Sequence, residues 1–465
     1  MKSRFFHLWD AVNSSLWFIP ALMTLVTVAV SFATITIDGL IKEKLVDRTG
    51  WIWTGGPEGA REILSTIAGS MITVAGVVFS ITVVVLALAS SQFGPRLLRN
   101  FMRDRGNQIV LGTFISTFTY CLLILRTIRG EDGGSEFVPH ISVTLGIVLA
   151  LASLGVLIYF IHHVSVSIQA PIIIARVAQE LERGVDRLFP EMLGQSAEES
   201  SQSAPRNDIP PEFDRDGGRV PSCASGYLQA IDSETLMEIA IDKDLLMRIN
   251  FRPGEFIVKG SDLVLAWPRQ ILDRALADQV NAGFILGAER TEAQDIGFSI
   301  HQLVEIGVRA LSPGINDPFT AITCVDRLGA ALCQLAERKA PSPYRYDSEG
   351  KLRVIAKGTT FADLADAAFN PIRHYGRSSA LVTVSLLKTL AVITEHVRRE
   401  EDRQTLLRHA IMIERASGEA LVEQAERDTI EEHYRSLLRI LKEDRLTPER
   451  MRGHGGFGNM MVPEG

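Results

Sequence analysis

Long apolar runs fill the first third of the chain, and charged residues are concentrated in the remainder. An α-helix needs roughly 20 apolar residues to cross a bilayer. Four runs without Asp, Glu, Lys or Arg approach or exceed that length: 16–37, 63–90, 109–125 and 141–161. The pattern therefore predicts a transmembrane domain of four helices over residues 1–165, with the lipid bilayer as its surroundings.

The distribution of Lys and Arg around these runs predicts their orientation. Nine of these residues flank the helix ends on the side of the N-terminus, against six on the opposite side. Because cytoplasmic loops carry the excess of positive charge, we expect both termini in the cytoplasm, together with the large C-terminal portion. The four cysteines lack the spacing of a metal site or a disulfide framework, and reduced thiols agree with a cytoplasmic location.

The second run carries small and weakly polar residues along a single helical stripe. At spacings of three and four residues it contains Thr66, Gly69, Thr73, Gly76 and Ser80, which we call the small-residue seam. Lipid provides no hydrophobic drive for helix association, so small residues mark where helix backbones approach closely. The seam has two interpretations: helix packing within one subunit, or the lining of a pore at the axis of a homo-oligomer, with its hydroxyl groups facing water.

Three arginines follow the second run closely. Gly94 is expected to end the helix and Pro95 to begin a new one, on which Arg96, Arg99 and Arg103 share one face. These arginines either fix the topology by contacting lipid phosphates or, in a symmetric oligomer, form a positive ring that attracts anions. Both interpretations place them at the cytoplasmic end of the helix, which would be the cytoplasmic mouth of a pore.

The residues beyond the fourth run divide into five segments by composition. An amphipathic pattern predicts a juxtamembrane helix over 166–189, and a stretch rich in Ser, Glu, Pro and Gly predicts a flexible linker over 190–219. Short runs bounded by turns predict a β-rich, barrel-like subdomain over 220–270. A mainly helical subdomain is expected over 271–450 and a disordered tail over 451–465. The predicted fold class is membrane α-helical plus an α+β cytoplasmic domain.

Two capping signals locate helices in the cytoplasmic half. Asp232 is expected to cap a helix over 233–240, because its carboxylate can accept a hydrogen bond from a free backbone N–H. Thr291 and Gln294 have the spacing of a capping box, which predicts a helix that ends at Ala310.

A turn between that helix and the next is a candidate ligand site. It contains Ser312, Gly314, Asn316 and Asp317, and Pro318 is well suited to the first position of the following helix. Free backbone N–H groups at a helix N-terminus bind anions, whereas the Asp317 carboxylate would repel one. The segment is therefore either a tight structural turn or a ligand turn.

Few polar groups suggest catalysis. His301 and Glu305 have the spacing of a metal-binding or acid–base pair, but Glu305 also has Arg309 as a partner one turn on. A polar group that includes Asn370 and Arg373 is suited to a ligand but follows no known motif. The sequence lacks a phosphate-binding loop, a nucleophile elbow and a zinc-protease motif. We therefore expect no enzyme of a familiar type, no catalytic residues, no metal and no cofactor.

Three blocks of sequence resemble one bacterial membrane-protein family, named domain of unknown function 2254. They are 92–101, followed by 111–114 and Tyr120; 225–232; and 309–318. The resemblance covers about residues 10 to 440, with the blocks in the family's order. It implies a four-span inner-membrane protein with a soluble C-terminal domain, and it implies no reaction.

These patterns favour one class of function and exclude another. A net charge of −7 and a pI near 5.9, without a basic cluster, exclude a nucleic-acid-binding protein. The seam and the arginines favour a homo-oligomeric, anion-leaning ion channel or passive transport protein that the cytoplasmic domain regulates. The alternative is a membrane-anchored sensor or scaffold that binds a ligand or partner through the cytoplasmic domain and has no transport path.

Overall fold

The structure is a computed structural model that describes residues 17–40, 53–97, 102, 104–130, 137–189, 208–338 and 340–443. Contacts between residues divide the chain into two units, Met1–Ile173 and Ile174–Gly465. The first unit holds four long apolar helices, and the second holds the strands and most of the remaining helices. The predicted tail and residues 190–207 of the predicted linker lie outside the described residues.

The helices of the first unit lie where the four apolar runs predict them. Their bounds are α1 Phe18–Leu40, α2 Pro57–Phe93, α3 Arg105–Leu125 and α4 His140–Ser167. Helix α2 contains 37 residues. At about 1.5 Å per residue it extends about 55 Å, well beyond a hydrocarbon core of about 30 Å. As a membrane span, a helix of this length would tilt or project from the bilayer.

Helix α3 is the centre of the first unit. The other three helices pack against it, and 50% of its most apolar stretch is buried, against 11–22% for theirs. Gly112 permits a close approach of α1, because a Cβ atom there would lie 2.5 Å from Sδ of Met23. The wholly buried Tyr120 donates its hydroxyl proton to the Ser142 carbonyl at 3.1 Å and lies 3.2 Å from the Thr34 hydroxyl. Gly112 and Tyr120 therefore join α1, α3 and α4.

The last turn of α1 also holds the start of α4. The Asp38 carboxylate accepts hydrogen bonds from the N–H groups of Ile141 and Ser142, at 2.9 and 3.0 Å, and from the Ser142 hydroxyl at 2.6 Å. The N–H groups in the first turn of a helix have no partner within it. Asp38 therefore caps α4 from another helix.

Helix α5, Ala170–Leu188, corresponds to the predicted juxtamembrane helix and begins four residues later than predicted. Leu181 and Val185 on its apolar face are almost completely buried. On its polar face, Asp186 accepts a hydrogen bond from the Arg338 guanidinium at 2.5 Å. The part of α5 beyond Ile173 is therefore an integral part of the second unit.

Eight strands are described in the second unit, and they form two open sheets. Their bounds are β1 Gly218–Pro221, β2 Gly226–Ile231, β3 Leu246–Ile249, β4 Phe256–Ile257, β5 Asp262–Trp267, β6 Phe284–Gly287, β7 Tyr344–Tyr346 and β8 Leu352–Ala356. One sheet has the order β1-β5-β3-β8-β7, with only β3 and β8 parallel, and the other is the antiparallel sheet β4-β2-β6.

The barrel-like subdomain predicted for 220–270 is not what forms. Within the described residues the strands do not close into a barrel, and β6, β7 and β8 complete the sheets from later in the chain. The cause is the parallel pairing of Met247 with Val354, which lie 107 residues apart and which no local pattern relates.

Nine further helices complete the second unit as described. They are α6 Phe213–Asp216, α7 Ser233–Asp242, α8 Arg274–Ala282, α9 Ile296–Ala310, α10 Pro318–Ala336, α11 Phe361–Gly376, α12 Ala380–His396, α13 Glu400–Ala420 and α14 Gln424–Glu443. Residues 208–219, assigned to the linker by composition, hold α6 and the start of β1. The side chain of Phe213 is buried there.

One of the two capping predictions is confirmed. Asp232 caps α7 and accepts a hydrogen bond from the Thr235 N–H at 3.2 Å. The capping box of Thr291 and Gln294 is wrong, because α9 begins only after Asp295. The Gln294 side chain instead bonds both backbone groups of Ile231, at 2.9 and 3.1 Å. A tertiary contact has replaced the local one.

A fifth helix has the length and composition of a membrane span. It is α10, whose mean hydropathy of 1.2 compares with 1.8 to 2.6 for α1 to α4. It lies in the second unit and packs against α9, α11 and α12. The described residues therefore contain five candidate spans, one more than predicted.

Candidate functional site

The small-residue seam lies on the outside of the chain. All five of its residues are exposed, and no atom lies within 4 Å of a Cβ built at Gly69 or Gly76. The face of α2 that packs against the other helices is a different one, which includes Leu64, Ala68 and Ala75. Among the described residues, the seam therefore makes no helix packing within the subunit.

Two of the three hydroxyl groups of the seam donate hydrogen bonds within α2. Thr73 donates to the Gly69 carbonyl at 2.8 Å and Ser80 donates to the Gly76 carbonyl at 2.9 Å. Such bonds satisfy the hydroxyl protons without a partner from elsewhere, so the surface can meet lipid or another helix at little cost. The oxygen lone pairs still face outward.

The predicted break after α2 is present. Gly94 has a φ of 110°, in the region that favours glycine, and Pro95–Leu97 forms a single 3-10 turn that contains Arg96. The Arg96 side chain is exposed. Arg99 and Arg103, the other two arginines predicted for a pore mouth, lie outside the described residues.

The segment before α3 is tied to the end of α4. Asp104 caps α3 by accepting a hydrogen bond from the Gly106 N–H at 2.8 Å, and its Oδ1 lies 3.0 Å from Nε2 of His163. The ring of His163 stacks on Tyr159 with a centroid distance of 5.3 Å. His163 therefore helps to hold the polypeptide that follows the arginines.

The candidate ligand turn is held by its own backbone. Asn316 adopts a positive φ of 51°, and its N–H donates to the Ser312 carbonyl at 2.9 Å. The Asp317 carboxylate caps α10, accepting from the Thr320 N–H at 3.1 Å and from the Thr320 hydroxyl at 2.6 Å. Gly314 is exposed at the tip. The carboxylate thus takes the position where an anion would bind, which favours a structural turn.

His301 and Glu305 have partners other than a metal. Nδ1 of His301 lies 2.8 Å from the Arg290 guanidinium, which also binds the buried Asp295 carboxylate at 2.6 Å. Burial raises the pKa of Asp295, and the guanidinium opposes that rise. Glu305 binds Arg309 at 3.3 Å. The described residues contain no group of three or more His, Cys, Asp or Glu side chains suited to a metal ion.

The second unit also contains a cavity of about 720 Å³, within the range of small-molecule sites. Its apolar lining includes Phe189, Leu236 and Val354, and charged residues of both signs, among them Glu234 and Lys357, lie around it. The sequence pattern did not predict this cavity. The lining residues come from four separated parts of the chain, and only the tertiary fold brings them together.

Comparisons with known proteins place the chain in a family. Residues 13–392 match the family model described as Predicted membrane protein (DUF2254). Uncharacterised proteins of Mycobacterium bovis and Mycobacterium tuberculosis are each 32% identical to it over 435 residues, which is 92% of this chain and 81% of each relative. No solved structure matches. The chain therefore belongs to the DUF2254 family of predicted membrane proteins.

Proposed function

We propose that this protein is a homo-oligomeric, anion-leaning channel or passive transport protein regulated by its second unit. The observation that carries the proposal is the small-residue seam of α2, which faces away from the other described residues. In a bilayer, a face of glycine and short hydroxyl side chains is suited to close contact with another helix. A second copy of α2 offers the same face, as a symmetric interface requires.

The packing of the first unit supports a path between chains. Side chains fill its centre, where Phe114 and Tyr120 of α3 are both almost completely buried. Among the described residues, side chains therefore occupy the space where a pore through a single subunit would run. A path would therefore run along the α2 helices of several subunits, with Thr66, Thr73 and Ser80 beside it.

The preference for anions rests on Arg96. The hydroxyl protons of Thr73 and Ser80 are already donated within the helix, so the seam itself presents mainly oxygen lone pairs. An exposed guanidinium at the end of α2, repeated around a symmetry axis, attracts anions to that end.

Four spans fit the proposal better than five. Helix α10 is the least apolar of the candidates, and its packing among α9, α11 and α12 is that of a core helix in a soluble unit. With α1 to α4 as the spans, the excess of Lys and Arg places both termini in the cytoplasm, and we propose the bacterial inner membrane as the location.

Ion flux through the purified full-length protein in liposomes tests this function. We expect chloride-selective flux in the wild type and a selectivity at least about tenfold lower in Arg96→Glu, because the positive end becomes negative. The control is Arg96→Gln, which removes the charge without reversing it and should give an intermediate selectivity. Wild-type protein that assembles but remains silent across voltage, tension and pH would contradict the proposal.

The cavity of the second unit supports a second candidate function, a membrane-anchored sensor of a small ligand. Native mass spectrometry of the purified full-length protein would detect a metabolite that stays bound. Met237→Trp should exclude it by filling the cavity, which Met237 lines, whereas the exposed Tyr375→Trp should retain it. The sensor proposal fails if both variants carry the same metabolite, or if the wild type carries none.

The sensor function also depends on a second unit that folds alone, and the structure predicts where that unit begins. We expect a fragment of residues 170–443 to unfold cooperatively and a fragment of residues 220–450 to remain unfolded. The shorter fragment lacks Phe213, the first two of the four residues of β1 and the apolar face of α5. At about 2 kcal/mol for each buried side chain, this loss approaches the whole stability of a typical domain. Urea unfolding of both fragments, followed by circular dichroism, tests this prediction. A cooperative transition in the shorter fragment would contradict it.

A further inference from the structure

A cluster of polar side chains, which we name the polar recess, lies where α11 packs against α13 in the second unit. Helix α11 contributes Asp366, Asn370 and Arg373, which are four and three residues apart and so share one face. Helix α13, which packs against it, contributes Arg408 and His409. The sequence drew attention to Asn370 and Arg373, but it gave no reason to connect them with residues about 35 positions later.

Asp366 is the anion of this recess, and it already has a cationic partner. Its Oδ1 accepts a hydrogen bond from Arg408 at 2.8 Å and another from the Asn370 amide at 3.2 Å. Nε2 of His409 lies 3.0 Å from the same oxygen, although the ring is not aligned for a hydrogen bond. Arg408 and Asp366 therefore neutralise each other.

Arg373 is left with an unmatched charge. Within the described part of the chain its guanidinium makes no hydrogen bond or ion pair, and its Nε is buried. The side-chain oxygen of Asn370 and Nδ1 of the wholly buried His409 are also buried without hydrogen-bond partners among the described residues. A buried polar group without a partner costs about 1–3 kcal/mol, and more if it is charged. The recess thus combines one unmatched positive charge with an unused histidine nitrogen, whereas the Asn370 oxygen is an acceptor and cannot donate to an anion.

We propose that this recess is a binding site for a phosphate-type oxyanion, with the Arg373 guanidinium as its main ligand. A guanidinium presents a rigid fork of N–H donors that matches phosphate oxygens, and a neutral His409 has one N–H to add. A cation is the wrong occupant, because two guanidinium groups and one carboxylate give the recess a net positive charge. The site is separate from the seam and goes beyond the channel proposal.

Isothermal titration of the full-length protein in detergent with inorganic phosphate tests this site. The titration is run at constant ionic strength maintained with sodium chloride. We expect saturable binding in the wild type and an affinity at least about tenfold lower in Arg373→Gln, since charge-assisted hydrogen bonds are lost. The matched control is Arg377→Gln, an exposed arginine one turn further on, which should bind like the wild type. A parallel titration with glycerol 3-phosphate, which mimics a lipid headgroup, distinguishes the two sources of phosphate. Tighter binding than that of inorganic phosphate would indicate a lipid headgroup, and weaker or equal binding would indicate free phosphate.

Two outcomes overturn the proposal: no saturable phosphate binding to the wild type, or the same affinity in Arg373→Gln. If Arg373→Gln does not fold, Arg373→Lys is the replacement, because it retains the charge and removes the planar fork. Arg373→Lys should weaken phosphate binding by a smaller factor than the tenfold expected for Arg373→Gln. An unchanged affinity in Arg373→Lys would count against a role for the guanidinium.

Discussion

Leucine in place of Gly76 is expected to dissociate the oligomer and to abolish ion flux while the single chain keeps its fold. Apart from the backbone of α2 itself, no atom of the described residues lies within 4 Å of a Cβ at this position, so we expect a larger side chain to be accommodated beside them. Leucine also favours the helix over glycine by about 0.8 kcal/mol. Any loss must then come from the contact between α2 and whatever packs on its seam.

The expected effect on assembly is large because a symmetric ring contains the substitution at every interface. Each α2 helix in a ring contributes one leucine, and a loss of about 1.4 kcal/mol at each interface is a tenfold change in its association constant. We expect the apparent mass in mild detergent to fall to that of one chain, and the flux to fall below a tenth of the wild-type value.

The matched control is Val77→Leu, at nearly the same depth but about 100° around the helix. Val77 is exposed as well, so its replacement alters lipid-facing surface and leaves the seam intact. An oligomer in Gly76→Leu equal to that of the wild type would show that the seam faces lipid, and the channel proposal would then lose its basis.

The apolar helices of the first unit were predictable because their signal is local. A run such as 141–161 has no other satisfactory environment than a bilayer or a large core, and α4 forms there. What the sequence did not reveal is which face of each helix is buried. The small residues of α2 form two stripes, and Ala68 and Ala75 pack inside while Gly69 and Gly76 lie outside. The two stripes lie at adjacent positions and contain residues of nearly equal size, so composition does not show which stripe is buried.

The second unit was predictable in its elements and not in their assembly. Strands β2 and β5 lie within the stretch predicted to be β-rich, and Asp232 caps α7 as the sequence predicts. The parallel contact of β3 with β8, the cavity and the recess of Arg373 all join residues that are distant in sequence. Their chemistry depends on burial and on unmatched charge, which are properties of the folded chain.

A buried histidine gives the second unit a strong dependence of stability on pH. Burial lowers the pKa of His409 to about 4; Asp366 opposes the shift, whereas Arg408 and Arg373 add to it. In the unfolded chain the same ring titrates near 6.5. Between these values the unfolded state binds a proton that the folded state excludes, so the free energy of unfolding falls as the pH falls. The contribution is complete above about pH 6.5, and about 3 kcal/mol is lost by about pH 4.

Glutamine at position 409 should remove this part of the pH dependence. Its amide stays neutral throughout, so we expect the difference in unfolding free energy between wild type and His409→Gln to change by about 3 kcal/mol between pH 7 and pH 4. Urea unfolding of the full-length protein in phosphate-free buffer measures this difference, and protonation of carboxylates common to both proteins cancels. The control is His374→Gln, whose exposed ring lies on α11, and it should follow the wild type at every pH. A constant difference for His409→Gln would mean that His409 has the same pKa in the folded and unfolded chains, so that the attraction of Asp366 offsets the effect of burial.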